Sequence, residues 1–575
     1  MNRSPAVIIT SILTLGLLLA TATACRAPAG EADLVLLGGR IVTLDQDQPE
    51  VEAVAVLDGR IAALGSEETI RNWISDGTQV VNLMDGLAIP GFIEGHGHFM
   101  GLGRLKIELD LSSAETWDQV VQQAKDRAST LPAGTWITGR GWHQEKWDRP
   151  PDPAVQGYPV NNELSAMIPD HPVHLRHASG HGSIANAAAL AIAGIGPASR
   201  DPEGGEIVRW PDGTPTGILL ENGMDPVYAA WNADISKRTP EEIQAEGEEI
   251  IRLAMEECLA HGITSFQDAG STLAEVNMFR DLADQGRLPV RLWIMLGEKD
   301  DDIASSLDQV RTIGYGDHHL TVRAIKRYVD GALGSRGALL LEPYADQPDT
   351  SGQMVETLES LRKSAELARD HGYQLCTHAI GDKGNRMMLD LYEEVLAATD
   401  DPAARRWRIE HAQHLHQDDI PRFGKLGVVA SIQGVHCTSD GPWVPKRLGN
   451  DRAESGAYPW RALVDSGAVL VNGTDTPVEP LDPIAGFHAL ITREMADGTR
   501  FHPGQALTRD EALRAMTLDA AWAAHEEEIK GSIVVGKLAD LTVLDLDIMT
   551  VPEEEIRSAQ VTHAIVGGKL LYSLE

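Results

Sequence analysis

His96 and His98 stand two residues apart in GFIEGHGHF. Side chains two apart on a strand point to the same face, so this pair can present two imidazoles to one cation. An H-x-H pair alone is a weak signal, since a histidine on an apolar element is as often a hydrogen-bonded core residue. The pattern then repeats along the chain. His378 ends YQLCTH, His411 ends RWRIEH and Asp475 ends AVLVNGTD, each after a β-rich run and before a turn or polar stretch. Four imidazoles and one carboxylate at strand ends suit zinc or a similar divalent ion. Any one of them could be a core histidine or a simple turn, but five such placements together favour a shared metal site.

Lys326 lies in TVRAIKRYVDGALGS, where alternation puts Ala324, Lys326, Tyr328 and Asp330 on one face. A lysine inside a barrel must pair, lose its proton or be modified. One outcome is a carbamate formed with CO₂, an anionic oxygen ligand able to bridge two metals; the other is an ion pair with Asp330. The same alternation sends Arg323 and Arg327 outward among helices, where nothing in the sequence supplies them with partners.

These residues need elements that bring them together. Strand candidates are LAIPGFIEGH, GITSFQD, PVRLWIML, TVRAIKRYVD, YQLCTH, RWRIEH, GVVASIQ and GAVLVNGTD. Amphipathic helical patterns alternate with them: one carries Ile243, Gly247, Ile250 and Ala254 on one face, another Leu358, Leu361, Ala365 and Ala368. Eight strand–helix units predict an α/β fold, a (β/α)₈ TIM-like barrel, whose strand C-termini converge on one rim. Closure brings the eighth strand, and Asp475, beside His96 and His98. Short β runs at both ends of the chain, such as ADLVLLGGRIVTLD and VTHAIVGGKLLYSLE, predict one small β-sandwich built from both termini. The expected boundaries are a signal peptide over 1–24, a tether over 25–32, sandwich segments over 33–88 and 531–575, and the barrel over 89–530. A Trp-, Gly- and Pro-rich insertion at about 104–240 interrupts the barrel and could roof its mouth.

The remaining composition narrows the functional class. Of 575 residues, 49 are Lys or Arg and 85 are Asp or Glu, so 49 − 85 = −36. With no basic block, nucleic acid and electrostatic docking on anionic lipid are disfavoured as partners. Residues 6–20, AVIITSILTLGLLLA, are shorter than the about 20 apolar residues of a membrane span and suit an export signal. The junction ATAC resembles a bacterial lipobox, which would make Cys25 the lipidated first residue of a mature envelope protein, with Ala22 in place of the usual Leu. Plain cleavage after Ala24, giving a periplasmic or secreted protein, and an uncleaved anchor are the alternatives. The other cysteines, Cys258, Cys376 and Cys437, show neither a disulfide framework nor a metal-binding spacing and are expected as buried thiols.

The motifs GFIEGHGHF, IKRYVDGALGSRGA, CTHAIGDKGN, RIEHAQ, ASIQGVH and NGTDTPVEP together resemble the amidohydrolase superfamily, in its N-substituted formamide deformylase-like branch, over nearly all of the mature chain. The resemblance implies that His96, His98, Lys326, His378, His411 and Asp475 hold one or two divalent ions, zinc foremost, with Lys326 a candidate for carboxylation. It implies a hydrolase of non-peptide carbon–nitrogen bonds, with Asp475 and His411 as catalytic residues and Asp475 moving the proton from water to the leaving nitrogen. Glu94 stands where many relatives have Asp, which bears on support of the site. Candidate substrate contacts are His181 in SGHGSIAN, Trp142 in the insertion, Asp330 and His436, with Trp443 as a further wall residue. The expected substrate is a small N-substituted formamide or N-acyl compound. The alternatives are a deaminase or esterase of the same superfamily, or a non-catalytic binding lipoprotein of the envelope. An oligomer is compatible with the sequence.

Overall fold

The computed structural model describes residues 30–574. The signal segment and Cys25 lie outside the described residues. Eight strands form the barrel: β1 (Phe92–Gly97), β2 (Ile263–Ser271), β3 (Arg291–Leu296), β4 (Leu320–Tyr328), β5 (Gln374–Ala379), β6 (Arg408–His411), β7 (Val429–Ile432) and β8 (Leu470–Asn472). They pair side by side in chain order, all parallel. The ring closes where β8 runs against β1. There, a Cβ at Gly473 would fall 2.4 Å from the His96 nitrogen, and one at Gly95 would fall 2.5 Å from the Asn472 oxygen. Only glycine permits that approach, and it lets the Asp475 amide donate to the His96 carbonyl at 2.8 Å.

The helices pack their apolar stripes on the outside of this ring. Pro240–Ala260 starts at a capping box in which Thr239 and Glu242 satisfy each other's backbone amides, and it buries Gly247, Ile250 and Ala254. Leu358–Asp370 starts at Thr357 and buries Leu361, Ala365 and Ala368. The first residue of each predicted stripe, Ile243 and Leu358, lies in the opening turn of its helix and is exposed. Arg327, which alternation sends outward, is buried there: it pairs with Asp300 and donates to Ser364 Oγ at 2.8 Å.

The predicted first strand, LAIPGFIEGH, divides. Leu87–Pro90 belongs to a different sheet, where it pairs antiparallel with Leu541–Leu544. That six-stranded sheet also contains Arg40–Val42, Glu50–Val51, Val561–Val566 and Lys569–Ser573, and so draws on both ends of the chain. A second, four-stranded sheet uses only N-terminal strands between Leu34 and Asn82. Leu36, Val54 and Val56 from one sheet share an apolar core with Ile41, Ala88, Leu541 and Ile565 from the other.

The insertion is a folded unit with its own six-stranded sheet running from Leu109–Asp110 through Ile137–Trp142 and Val173–His177 to Gly205–Arg209. Its core holds Trp117, Trp142, Trp147 and Leu175. Trp142, expected in the substrate wall, is 1% exposed in this core and donates its indole N–H to the Leu175 carbonyl at 3.0 Å. The pleat of its strand turns it away from the barrel mouth. Cys258, Cys376 and Cys437 are buried and unpaired.

Candidate metal centre and active site

The C-terminal ends of β1, β6 and β8 bring His96, His411 and Asp475 together. One ligand atom from each lies within 4.8 Å of the others, and all three side chains are buried. Asp475 Oδ1 is 3.1 Å from His98 Nε2 and 3.6 Å from His96 Nε2. The His378 ring, from β5, is 4.4 Å from that of His411. Lys326 projects from β4 with its Nζ 4.8 Å above the Tyr328 ring.

Backbone conformation aims two of these groups. His411 has φ +78°, its neighbour Ala412 +42° and Asp475 +58°. Left-handed backbone is costly for non-glycine residues and persists where the surroundings impose it. Here it turns His411 and Asp475 over the barrel mouth at the points where their strands end.

A second layer of side chains fixes the imidazoles. His96 Nδ1 bonds to the Glu410 carboxylate, which leaves Nε2 facing inward. Glu410 is itself paired with Arg408 at 2.8 Å, and Arg408 donates to the Gly95 carbonyl at 2.7 Å. His411 Nδ1 bonds to Gln433 Oε1 at 2.8 Å. Gln413 Nε2 donates to His436 Nδ1 at 3.0 Å, which sets His436 to carry its proton on Nε2, 4.0 Å from Asp475 Oδ2. Such outer partners set tautomer and orientation in metal sites. Glu94 lies beneath the turn that carries Asp475, accepting from the Thr474 amide at 2.5 Å and from its hydroxyl at 3.2 Å. Burial pushes the Glu94 carboxyl up to about 8 against those bonds.

The electrostatics suit metal ligation. Burial, helped by the charge of Lys326, lowers His96 to about 4, and burial holds His378 and His411 well below the usual imidazole range. Neutral imidazole is the ligating form. Burial works against the Asp475 carboxylate, but His98, His96 and His411 outweigh it and keep its pKa well below the ordinary value. Burial also lowers Lys326, although Glu410 and Asp475 pull the other way. The Nε2 atoms of His96 and His378 and the Nζ of Lys326 are buried with no hydrogen-bond partner. Buried polar groups are rarely left so. Neutral imidazoles around an ionised carboxylate fit a divalent cation such as zinc.

The other predicted contacts divide. His181 bonds to Glu221 at 2.7 Å, its ring 4.9 Å from that of His378, and it faces the cavity. His436 and Trp443 line the same cavity, which reaches from His411 and Asp475 toward His143 and His177. Asp330 does not face it. Its carboxylate accepts the backbone amides of Leu339, Ile380 and Gly381 at 2.8 to 3.0 Å, which makes it an organiser of the loop after β4. It makes no ion pair with Lys326; its nearest ring nitrogen, His378 Nε2, is 3.7 Å away. A second, open cavity meets the site from the side of His98, Arg140 and Tyr228.

Sequence patterns alone did not single out Glu410, Gln413 or Gln433. Glu410 carried one signal, a carboxylate sharing the inward face of β6 with Arg408.

Comparison with known proteins places this geometry. The sequence profile described as "Amidohydrolase family" matches residues 79–572. The chain is 34% identical to Protein LONG AFTER FAR-RED 3 of Arabidopsis thaliana, covering 95% of this chain and 92% of that protein. It is 28% identical to the N-substituted formamide deformylase of Arthrobacter pascens, covering 94% and 98%. Among solved structures, a metal-dependent hydrolase from Pyrococcus horikoshii OT3, described as uncharacterized, superposes with a TM-score of 0.72 at 26% identity, covering 91% of this chain and 99% of that one.

Proposed function

The chain belongs to the amidohydrolase family, and from that premise we propose that it hydrolyses a non-peptide, amide-type carbon–nitrogen bond in a small N-formyl or other N-acyl compound. The observation that carries the proposal is the convergence of buried His96, His411 and Asp475 donors within 4.8 Å, with His411 and Asp475 lining a cavity that opens from the barrel mouth. The similarity to an N-substituted formamide deformylase supports the formyl group as the first acyl group to test.

His96, His98, His378, His411 and Asp475, with Lys326, would hold one or two divalent ions, with zinc the first candidate. Such an ion supplies Lewis acidity and brings the pKa of water to about 7. Asp475, ionised at neutral pH, accepts the proton of the attacking water and returns it to the leaving nitrogen. His411, fixed by Gln433, faces the same reacting space. His436 presents its Nε2–H beside Asp475 and donates to the carbonyl oxygen as charge develops there. Lys326, buried and without a hydrogen-bond partner, is placed to form a carbamate: its amine nitrogen attacks the carbon of CO₂, an N–C bond forms as one C=O π pair moves to oxygen, and the proton lost from nitrogen leaves to solvent. His181 lines the cavity beside His378 and is placed to contact the substrate. The N-terminal segment, with Cys25 as the lipid-bearing residue, would place this activity in a bacterial cell envelope.

The test is an assay of metal-quantified protein with N-benzylformamide, with and without chelator. Release of formate and benzylamine that chelator abolishes and metal restores is expected. Ammonia release from amidines or aminopurines, with no formate from formamides, would replace amide hydrolysis by deamination.

A further inference from the structure

The second cavity has a cationic wall whose charge balance is incomplete. Arg140 lies on the insertion strand Ile137–Trp142, in register with Arg176 on the neighbouring strand. Both face the space shared by Lys326, His378 and Asp475. Arg176 is paired with Glu108 at 2.7 Å. Arg104, beside them, lies 4.0 Å from the same carboxylate and 5.6 Å from the Trp231 ring. Arg140 is only 6% exposed, yet no carboxylate pairs with it among the described residues. Its Nη2 donates to the Ala178 carbonyl at 2.8 Å, and its Nε is buried with no partner.

None of the acids on the same cavity wall pairs with Arg140: Asp475 belongs to the metal site, Asp225 makes no ion pair with any residue described, and the other three have partners of their own. Glu221 holds His181, Asp268 accepts the Phe99 amide at 2.8 Å, and Glu275 closes a helix cap at Thr272. Burial and the neighbouring Arg176 charge lower Arg140 to about 10, so it remains a cation at neutral pH. A buried cation that lacks a counter-charge is costly. Gly180 lies against the guanidinium, where a Cβ would stand 3.5 Å from Nη2, so the residue there adds no side chain between Arg140 and the cavity it lines.

We propose that Arg140 is a specificity-determining residue that receives a carboxylate on the substrate, so that the preferred substrates are N-formyl or N-acyl amines bearing an acid group away from the scissile bond. The planar fork of an arginine matches a carboxylate with two parallel hydrogen bonds. The cavity is continuous with His411 and Asp475, so one molecule can present its amide to the metal site and its acid to Arg140. This inference rests on the amide-hydrolase proposal above.

The experiment compares N-formylglycine with its uncharged amide, and N-formyl-4-(aminomethyl)benzoate with N-benzylformamide, in metal-loaded wild type, Arg140→Gln and Arg140→Lys. Wild type should favour the acid of at least one pair by about 10- to 100-fold in kcat/KM, the range of a charged hydrogen-bonded contact. Arg140→Gln should remove that preference by raising KM for the acid, with the neutral compound unchanged, and Arg140→Lys should restore part of it. Equal turnover of acid and neutral partners by wild type would overturn the inference, as would an equal loss on both in Arg140→Gln, the mark of a merely structural arginine. Calorimetric titration with the same acids separates the two proposals. If no formamide is hydrolysed but wild type binds the acid and Arg140→Lys binds it more weakly than wild type and better than Arg140→Gln, the amide proposal fails and the anion site stands. If Arg140→Gln does not fold, the wild-type acid-to-neutral comparison and Arg140→Lys decide.

Discussion

At the foot of the barrel, Arg291 grips Asp540 through two bonds of 2.7 and 3.0 Å, and Asp540 also accepts the Gly567 amide at 2.8 Å. Lys530 beside them is shared between Ser265 and Glu526, both at 2.6 Å. At the rim, His96 Nε2, His378 Nε2, His436 Nε2 and Lys326 Nζ are equally buried but face one another without hydrogen-bond partners. Both ends use charged and polar groups in a dry interior, at similar desolvation cost. The foot recovers that cost within the protein, by joining the barrel to the sandwich. The rim leaves its donors for something the chain does not supply. Polar groups that are complete mark the end that holds the fold together; polar groups that are incomplete mark the end that reacts.

The difference can be broken from either side. The largest expected effect is at the rim: Asp475→Asn should lower kcat by about 10³-fold, the scale of a lost general base, while the melting temperature stays close to wild type and metal analysis still finds bound ion. Wild-type turnover in that variant would remove Asp475 from the proton path. At the foot, Arg291→Met strands the buried Asp540 carboxylate and should cost about 3–5 kcal/mol in urea unfolding, with kcat per folded, metal-loaded molecule unchanged. A loss of kcat without a loss of stability would erase the distinction between the two ends.

Between these extremes stands Glu410→Gln, which weakens the partner of His96 Nδ1 without touching a ligand atom. Metal affinity, read by competition with a chromophoric chelator, should fall about 10- to 100-fold. Unchanged affinity would mean that His96 is held by packing alone. The smallest effect per residue concerns pH. Burial lowers His96 to about 4 and His143, His174 and His414 to about 3, against about 6.5 in the unfolded chain. At these histidines the unfolded state binds more protons as pH falls below 6.5, a loss of about 1.4 kcal/mol per such residue per pH unit down toward the folded values, while the raised carboxyls of Glu94 and Asp330 bind protons in the fold over the same window and oppose it. Chemical unfolding of metal-free wild type and His414→Gln at pH 7, 6 and 5 isolates one imidazole: the variant should gain on wild type as pH falls, and a constant difference would show that His414 does not stay neutral in the fold.

Much of the rim could be read from residue order because parallel strands in chain order make the ends of successive apolar runs neighbours. That logic carried His96, His378, His411 and Asp475 to one place. It could not carry the second layer. Period-two alternation puts Arg408 and Glu410 on the inner face of β6 and sends His411 outward; only the left-handed backbone at His411 and Ala412 returns its ring to the mouth. Trp142 was misplaced for a related reason. A tryptophan in a glycine-rich stretch looks like a loop residue, but GRGW belongs to a strand whose pleat points it into the insertion's core. Asp330 shares the inward alternation of Lys326, but the chain turns immediately after Tyr328, and three amides from neighbouring loops take up its carboxylate. The insertion's sheet was invisible because its strands are short and paired in mixed directions, without the strand–helix rhythm that reveals the barrel.

The pairing of Leu87–Pro90 with Leu541–Leu544 sets a schedule for biosynthesis. The partners are separated by some 450 residues, so at about 5–20 residues per second the earlier strand emerges from the ribosome roughly 20–90 s before the one that completes its edge. During that interval the nascent chain carries an open, apolar strand edge. Arrival of Leu541–Leu544, rather than growth of the barrel, is the event that seals it, and chains terminated before Leu541 should be the species that chaperones and proteases meet.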